Sequence, residues 1–408
     1  MEYQKLTLNN GIRVVLLQVK TPIAHAGLFI NAGSRDENQD EHGIAHLIEH
    51  VIFKGTEKRR SHHILSRMED VGGEINAFTT KEETCIHATF MKEYLERALE
   101  LIADIAFNSV FPEKELNKEI EVVIDEINSY KDNPSDLIFD DFDERLFPND
   151  PLGRNILGKA EKLKRYKRKD LLTFIKNNYH TDQMVISIVG NVTIKQVEKL
   201  AIRHFGHFSA NLRNKKRAQA LIGPPFNNSQ KKSTYQTHCI IGTEAYGFTH
   251  PARMSMHLLN NMLGGPGMNS RLSMSLRERN GYTYNIESNY ANFSDTGIFS
   301  VYFGTDKENL DKCIKLIFKE FNKLRELKLS EIQLSKAKKQ LIGQLAIASE
   351  SNENIMLSMG KSFLVYDKFD NLEEVCRQIE YISSIDVLET ANDILNPEKL
   401  SFLIYSDK

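Results

Sequence analysis

Tryptophan is absent from the 408 residues, and cysteine occurs only four times, at Cys85, Cys239, Cys313 and Cys376. No two of these thiols form a C-x-x-C pair. That scatter argues against a cysteine-built structural zinc site and suits a reducing compartment. Long apolar runs are missing too: no stretch approaches the roughly 18 residues needed to span a bilayer. Charge of one sign is not in excess. A formal net charge of -2 provides no bulk field to recruit nucleic acid or an anionic membrane. The start, Met1-Glu2-Tyr3-Gln4-Lys5, lacks a basic-then-apolar leader, so the cytoplasm is the expected compartment. What is present is ordinary: 41% hydrophobic and 26% charged residues, the balance of a globular protein. The length favours two domains.

The order of elements predicts one plan used twice. Apolar runs at 13–17 and 26–30, separated by Thr21-Pro22, read as strands. A helix follows around residue 46, then another at 62–70 that stops at Val71-Gly72-Gly73. Next come Asn76-Ala77-Phe78-Thr79-Thr80, a strand at 85–90, and helices at 93–107 and 113–130. A polar stretch with Pro134, Pro148 and Pro151 precedes a further helix and a strand at 184–189. The second half repeats this: a strand at 236–242, a helix at 254–263, and a second helix at 271–280 ending at Gly281. Lys92 and Lys307 open matching helices 215 positions apart, and His46 and His257 are 211 apart. So constant an offset predicts two copies of one fold. The expected division is residues 1–211, a linker at 212–232, and residues 233–408. The linker carries Lys215-Lys216-Arg217, Gly223-Pro224-Pro225 and Asn227-Asn228-Ser229. Its basic run lacks interleaved aromatics, so it reads as solvated linker and not as a nucleic-acid patch.

Only the first copy carries a His/Glu set. His46-Leu47-Ile48-Glu49-His50 is H-x-x-E-H, the inverted zincin order. Histidines four apart on a helix stack one turn above each other, so both rings can reach one metal ion. Glu49 beside them can hold a water. The apolar stripe Ile44, Leu47, Ile48, Val51 and Ile52 would serve an ordinary amphipathic helix equally well, but it leaves His46, Glu49 and His50 together on its flank. The corresponding string in the second copy is His257-Leu258-Leu259-Asn260-Asn261. The framework therefore does not require the His/Glu set, which favours a dedicated site.

Catalytic zinc usually takes three protein ligands. The helix at 113–130 offers Glu119 and Glu126, seven apart and on one face, with Val122 and Val123 expected to turn inward. Glu115, Glu121 and Asp125 also allow a merely solvated acidic helix. His62-His63 and His204-x-x-His207 are rival pairs, but neither has an accompanying carboxylate set.

With Glu126 placed 76 positions after His50, the chain resembles the pitrilysin/insulysin inverzincins. The nearest branch is the short-chain one that includes bacterial processing-type proteases and the mitochondrial processing peptidase. Other matching strings are His50-Val51-Ile52-Phe53-Lys54-Gly55-Thr56, Gly72-Gly73-Glu74-Ile75-Asn76-Ala77 and Pro151-Leu152-Gly153-Arg154. Gly264-Gly265-Pro266-Gly267-Met268-Asn269-Ser270-Arg271 and Arg277-Glu278-Arg279-Asn280-Gly281-Tyr282-Thr283-Tyr284 match in the second half.

The resemblance implies two homologous α+β domains, each a mostly antiparallel sheet packed with helices. It implies one Zn2+ per chain, held by His46, His50 and Glu126, with Glu49 as general base and Glu119 orienting a ligand from outside the metal's own shell. Asn76 and Ala77 would lie on an edge strand that takes peptide substrate as an added strand. Arg277 and Tyr284 would stabilise the oxyanion. In long relatives that pair lies in the second half of a double-length chain, so here it would act in trans in a homodimer enclosing a chamber. The implied activity is a zinc-dependent endopeptidase, with neither nucleic acid nor membrane as partner. Two alternatives are the active subunit of a heterodimer and a non-catalytic scaffold subunit.

Overall fold

Each half of the chain builds one sheet. The computed structural model describes residues 3–214 and 216–407. Met1 and Glu2 of the expected leaderless start, and Lys215 of the basic run, lie outside the described residues. In chain order the first half gives β1 (Gln4–Thr7), β2 (Arg13–Gln18), β3 (Ile23–Ile30), α1 (Ile44–Val51), α2 (Ser61–Glu69), β4 (Glu74–Thr79) and β5 (Thr84–Met91). Then come α3 (Leu95–Asn108), α4 (Glu113–Lys131), α5 (Pro134–Leu146), α6 (Ala160–Leu163), α7 (Arg168–Asn178), β6 (Met184–Gly190) and α8 (Ile194–Phe205). The second half gives β7 (Asn227–Lys231), β8 (Thr237–Ala245), α9 (Arg253–Gly264), β9 (Thr283–Asn292) and β10 (Gly297–Thr305). It closes with α10 (Leu310–Glu326), α11 (Glu331–Ala348), α12 (Asn352–Tyr366), α13 (Leu372–Tyr381), α14 (Ser384–Ile394) and β11 (Ser401–Ser406).

The repeat read from the offsets is visible in the strand order. The first sheet runs β1-β2-β6-β3-β5-β4 and the second β7-β11-β8-β10-β9. From β2 onward the two orders match strand for strand. Each sheet has one parallel pair, β2 with β6 and β7 with β11, and is antiparallel elsewhere. The chain is thus α+β with mixed, mostly antiparallel sheets, as the resemblance implied.

The compact units are not contiguous in sequence. One comprises the chain up to Asn128, Arg154–Ala218 and Ala348–Phe369; the other comprises Ser129–Gly153, Gln219–Ile347 and the chain from Asp370 on. Within the first unit, alternation along the strands sends Val14, Leu16, Ala26, Leu28 and Ile86 into a core under α1 and α3. Val15, Leu17, Phe29, Cys85 and Val185 face the other way and are covered by Met356, Met359 and Phe363 of α12. A Cβ at Gly360 would come within 2.1 Å of a Phe29 ring carbon, so glycine is what lets this helix approach. The Ser187 hydroxyl donates to the Met356 carbonyl at 2.8 Å, pinning α12 to β6.

Within the second unit, Ile138, Phe142 and Leu146 of α5 cover Ile240, Leu403 and Tyr405 in the same manner. Helix α5 occupies a stretch that reads in sequence only as polar, with no element assigned. Pro134 sits at its start, where a missing N–H costs nothing. The expected linker is also more structured than its composition suggests, since 227–231 is strand β7. The expected helix at 271–280 contains a π-helix, Ser273–Glu278, and stops before Gly281 at φ +63.

Candidate metal centre

Helix α1 sets the site. Ile44, Leu47, Ile48 and Val51 are buried and fix its face to the core. Gly43 precedes it at φ +90, and a Cβ there would meet Gly158 Cα at 2.7 Å. Glu37, only 2% exposed, grips the N-terminus: its two carboxylate oxygens accept from Gly43 N and Ala45 N, each at 2.9 Å. Burial pushes this carboxyl up to about 8, while the two amide donors and Arg154 pull the other way. Helix α4 supplies the second wall. Leu116, Ile120, Val123 and Ile124 are buried, whereas Val122 faces solvent, correcting its expected inward position.

Together these helices bring His46, His50 and Glu126 within 4.8 Å of one another, measured between one ligand atom from each. Nε2 of His50 lies 3.4 Å and Nε2 of His46 3.9 Å from one Glu126 oxygen. Ligands about 2 Å from a tetrahedral ion stand about 3.3 Å apart, so the donor set fits a divalent cation such as zinc. Burial, with His50 adding to it, depresses His46 to about 4, which keeps the ring neutral and able to ligate. Among the described residues, no other group of three metal-ligating side chains converges in this way.

Glu49 sits half-buried on the same helix. Burial raises its pKa, Thr79 and His50 pull it down, and Glu126 pushes it up. Glu119 approaches the other nitrogen of His50, at 3.5 Å from Nδ1, and its second oxygen meets Lys54 Nζ at 2.8 Å. A ligating imidazole held from behind by a carboxylate is oriented by it and made more basic. In the sequence Lys54 stands out only as part of a matching string; nothing there ties it to a helix 65 positions on.

Asn76 and Ala77 lie on β4, the outermost strand of its sheet. The Ala77 N–H donates to the Asn76 side-chain oxygen at 2.9 Å. Arg277 and Tyr284 belong to the second unit, Arg277 in the π-helix and Tyr284 in β9. The guanidinium lies 5.3 Å from the Tyr284 ring centre, and Tyr284 is 81% exposed. The rival histidines are engaged elsewhere. His62 and His63 lie against each other with tilted rings, His204 faces Glu96 at 3.4 Å, and His207 lies against Phe208.

Arg217 of the basic run is structural, whereas Lys216 is exposed. Arg217 binds both oxygens of Asp36, at 2.9 and 2.6 Å, and donates to the Glu82 carbonyl at 2.7 Å. Arg35 pairs with Glu82 at 2.7 Å beside it.

Comparison with known proteins shows the family. The profile of "Insulinase (Peptidase family M16)" matches residues 13–160, and that of "Peptidase M16 inactive domain" matches residues 165–341. A Bacillus subtilis (strain 168) protein described as "Uncharacterized zinc protease YmxG" is 34% identical over 387 residues, 93% of this chain and 92% of that one. A Rickettsia felis zinc protease is 32% identical over 398 residues, 97% of this chain and 96% of that one. Among solved structures, a protease from Helicobacter pylori superposes with a TM-score of 0.91 at 22% identity, covering 99% of both chains. A Pseudomonas fluorescens structure described as a peptidase M16 inactive domain has a TM-score of 0.93 at 21% identity, covering 100% of this chain and 98% of that one. Asn260 and Asn261 fall within the stretch that the inactive-domain profile matches. No helix of the described residues is long and apolar enough to cross a membrane.

Proposed function

Because this chain belongs to the insulinase family, peptidase family M16, we propose that it is a zinc-dependent endopeptidase acting on peptides and unfolded segments. The observation that carries this reading is the meeting of His46, His50 and Glu126 beside Glu49. Zinc held by these three side chains would polarise a peptide carbonyl and lower the pKa of water to about 7.

The protein's own groups do the rest. Glu49 takes the proton of the attacking water and later hands it to the leaving amine. Substrate adds as a strand along the free edge of β4, where its backbone carbonyl takes the Ala77 N–H from the Asn76 side chain. Recognition through backbone hydrogen bonds allows loose sequence preference. Arg277 and Tyr284 stabilise the developing oxyanion. Their exposure and their mutual cation–π contact support that role.

The pair acts in trans, from a second copy in a homodimer whose two sites face an enclosed chamber. The chamber admits flexible chains and excludes folded proteins. The intact ligand set favours catalysis over a scaffold role. Peptide cleavage that a chelator abolishes and added zinc restores is the expected result. A zinc-replete protein with no cleavage, or cleavage indifferent to chelation, contradicts it.

A further inference from the structure

We propose that Lys54 is a positioning residue of the metal centre. It tethers Glu119 outside the coordination shell and, through Glu119, turns Nε2 of His50 toward the metal. The inference rests on the zinc reading and adds a residue that reading does not use.

Lys54 comes just after α1. Its backbone N–H donates to the Val51 carbonyl at 2.9 Å, and the next residue, Gly55, bridges to Arg60. The lysine is therefore presented by a fixed turn. Its Nζ lies 2.8 Å from one Glu119 oxygen, and the other oxygen lies 3.5 Å from His50 Nδ1. The Lys54 and Glu119 side chains are 27% and 12% exposed, so solvent screens their attraction only in part.

Glu119 and Glu126 are seven apart on α4 and share its face. An untethered Glu119 carboxylate on that face is a hard oxygen donor free to compete with Glu126 or to let the His50 ring rotate. With one oxygen bound by the ammonium, Glu119 has one acceptor left for the imidazole N–H. That arrangement selects the tautomer with Nε2 free to ligate.

The test is zinc affinity, measured by chelator competition on the full chain. Lys54→Met keeps the bulk and removes the charge; Lys54→Arg keeps the charge. Lys54→Met is expected to weaken zinc binding about tenfold, within the range for partners that orient ligands, and Lys54→Arg to stay close to wild type. In a Glu119→Gln background, Lys54→Met should have no further effect. Unfolding of the zinc-free protein should be alike in wild type and Lys54→Met, which a purely structural lysine would not allow. An unchanged affinity in Lys54→Met, or losses that simply add in the double variant, overturns the proposal while leaving the zinc reading intact. A wild type that binds no zinc overturns both.

Discussion

Two charges beside the imidazoles, at positions 49 and 126, separate chemistry from binding. In the proposed mechanism Glu126 ligates and Glu49 moves protons, so the two substitutions should fail differently. Glu49→Gln should lower kcat by about 10²- to 10⁴-fold, the usual loss for a positioned acid–base group, with zinc content unchanged. Glu126→Gln should lose zinc. Turnover and zinc content measured on the same preparations separate these outcomes, and zinc loss in Glu49→Gln would contradict this division of labour. His46, Glu49 and His50 are legible in the sequence because helical period groups them on α1, whereas period alone puts Glu119 and Glu126 on one face of α4 and only the family resemblance ties them to the histidines. Glu37 and Lys54 are not legible. Each acts through a tertiary contact that no periodicity encodes.

Among the elements, α1 depends on the Glu37 carboxylate at its N-terminus. Its folded pKa of about 8 stands above the ordinary glutamate value of 4.5. The folded state therefore holds a proton that the unfolded state has released. Glu37's contribution to stability is fully present below the unfolded value and is lost as pH rises toward about 8. Urea unfolding of zinc-free protein at pH 5 and pH 8.5 should show wild type losing ground against Glu37→Gln on the order of a few kcal/mol. Comparing the two proteins cancels their common histidines. A constant difference would mean that Glu37 is ionised throughout. Helix α5 shows how composition can hide an element. Asp136, Asp140, Asp141, Asp143 and Glu144 crowd a stretch flanked by prolines. They mask Ile138, Phe142 and Leu146, whose four-residue spacing is the helix's buried stripe.

For the whole molecule, the repeat is readable from offsets, yet the partner of each late helix is not. Amphipathic spacing says that α12 buries a face; it does not say which sheet receives it. Because α12 covers β2, β3 and β6 of the first unit, residues 1–211 expressed alone should leave Val15, Leu17, Phe29 and Val185 bare. That fragment is expected to aggregate, and adding residues 348–369 should improve its solubility; a soluble, cooperatively folding 1–211 fragment would count against the division into interleaved units. The shared-site dimer makes a separate prediction. Mixing inactive Glu49→Gln with inactive Arg277→Ala should restore about a quarter of wild-type activity, since a symmetric mixed dimer holds one complete site. No recovery at any ratio would reject action in trans.

The most direct measurement is anomalous diffraction at the zinc edge from crystals of the zinc-loaded protein. A single peak per chain is expected, about 2 Å from Nε2 of His46, Nε2 of His50 and a carboxylate oxygen of Glu126. A peak elsewhere, or one that Glu126 does not approach, would contradict the account.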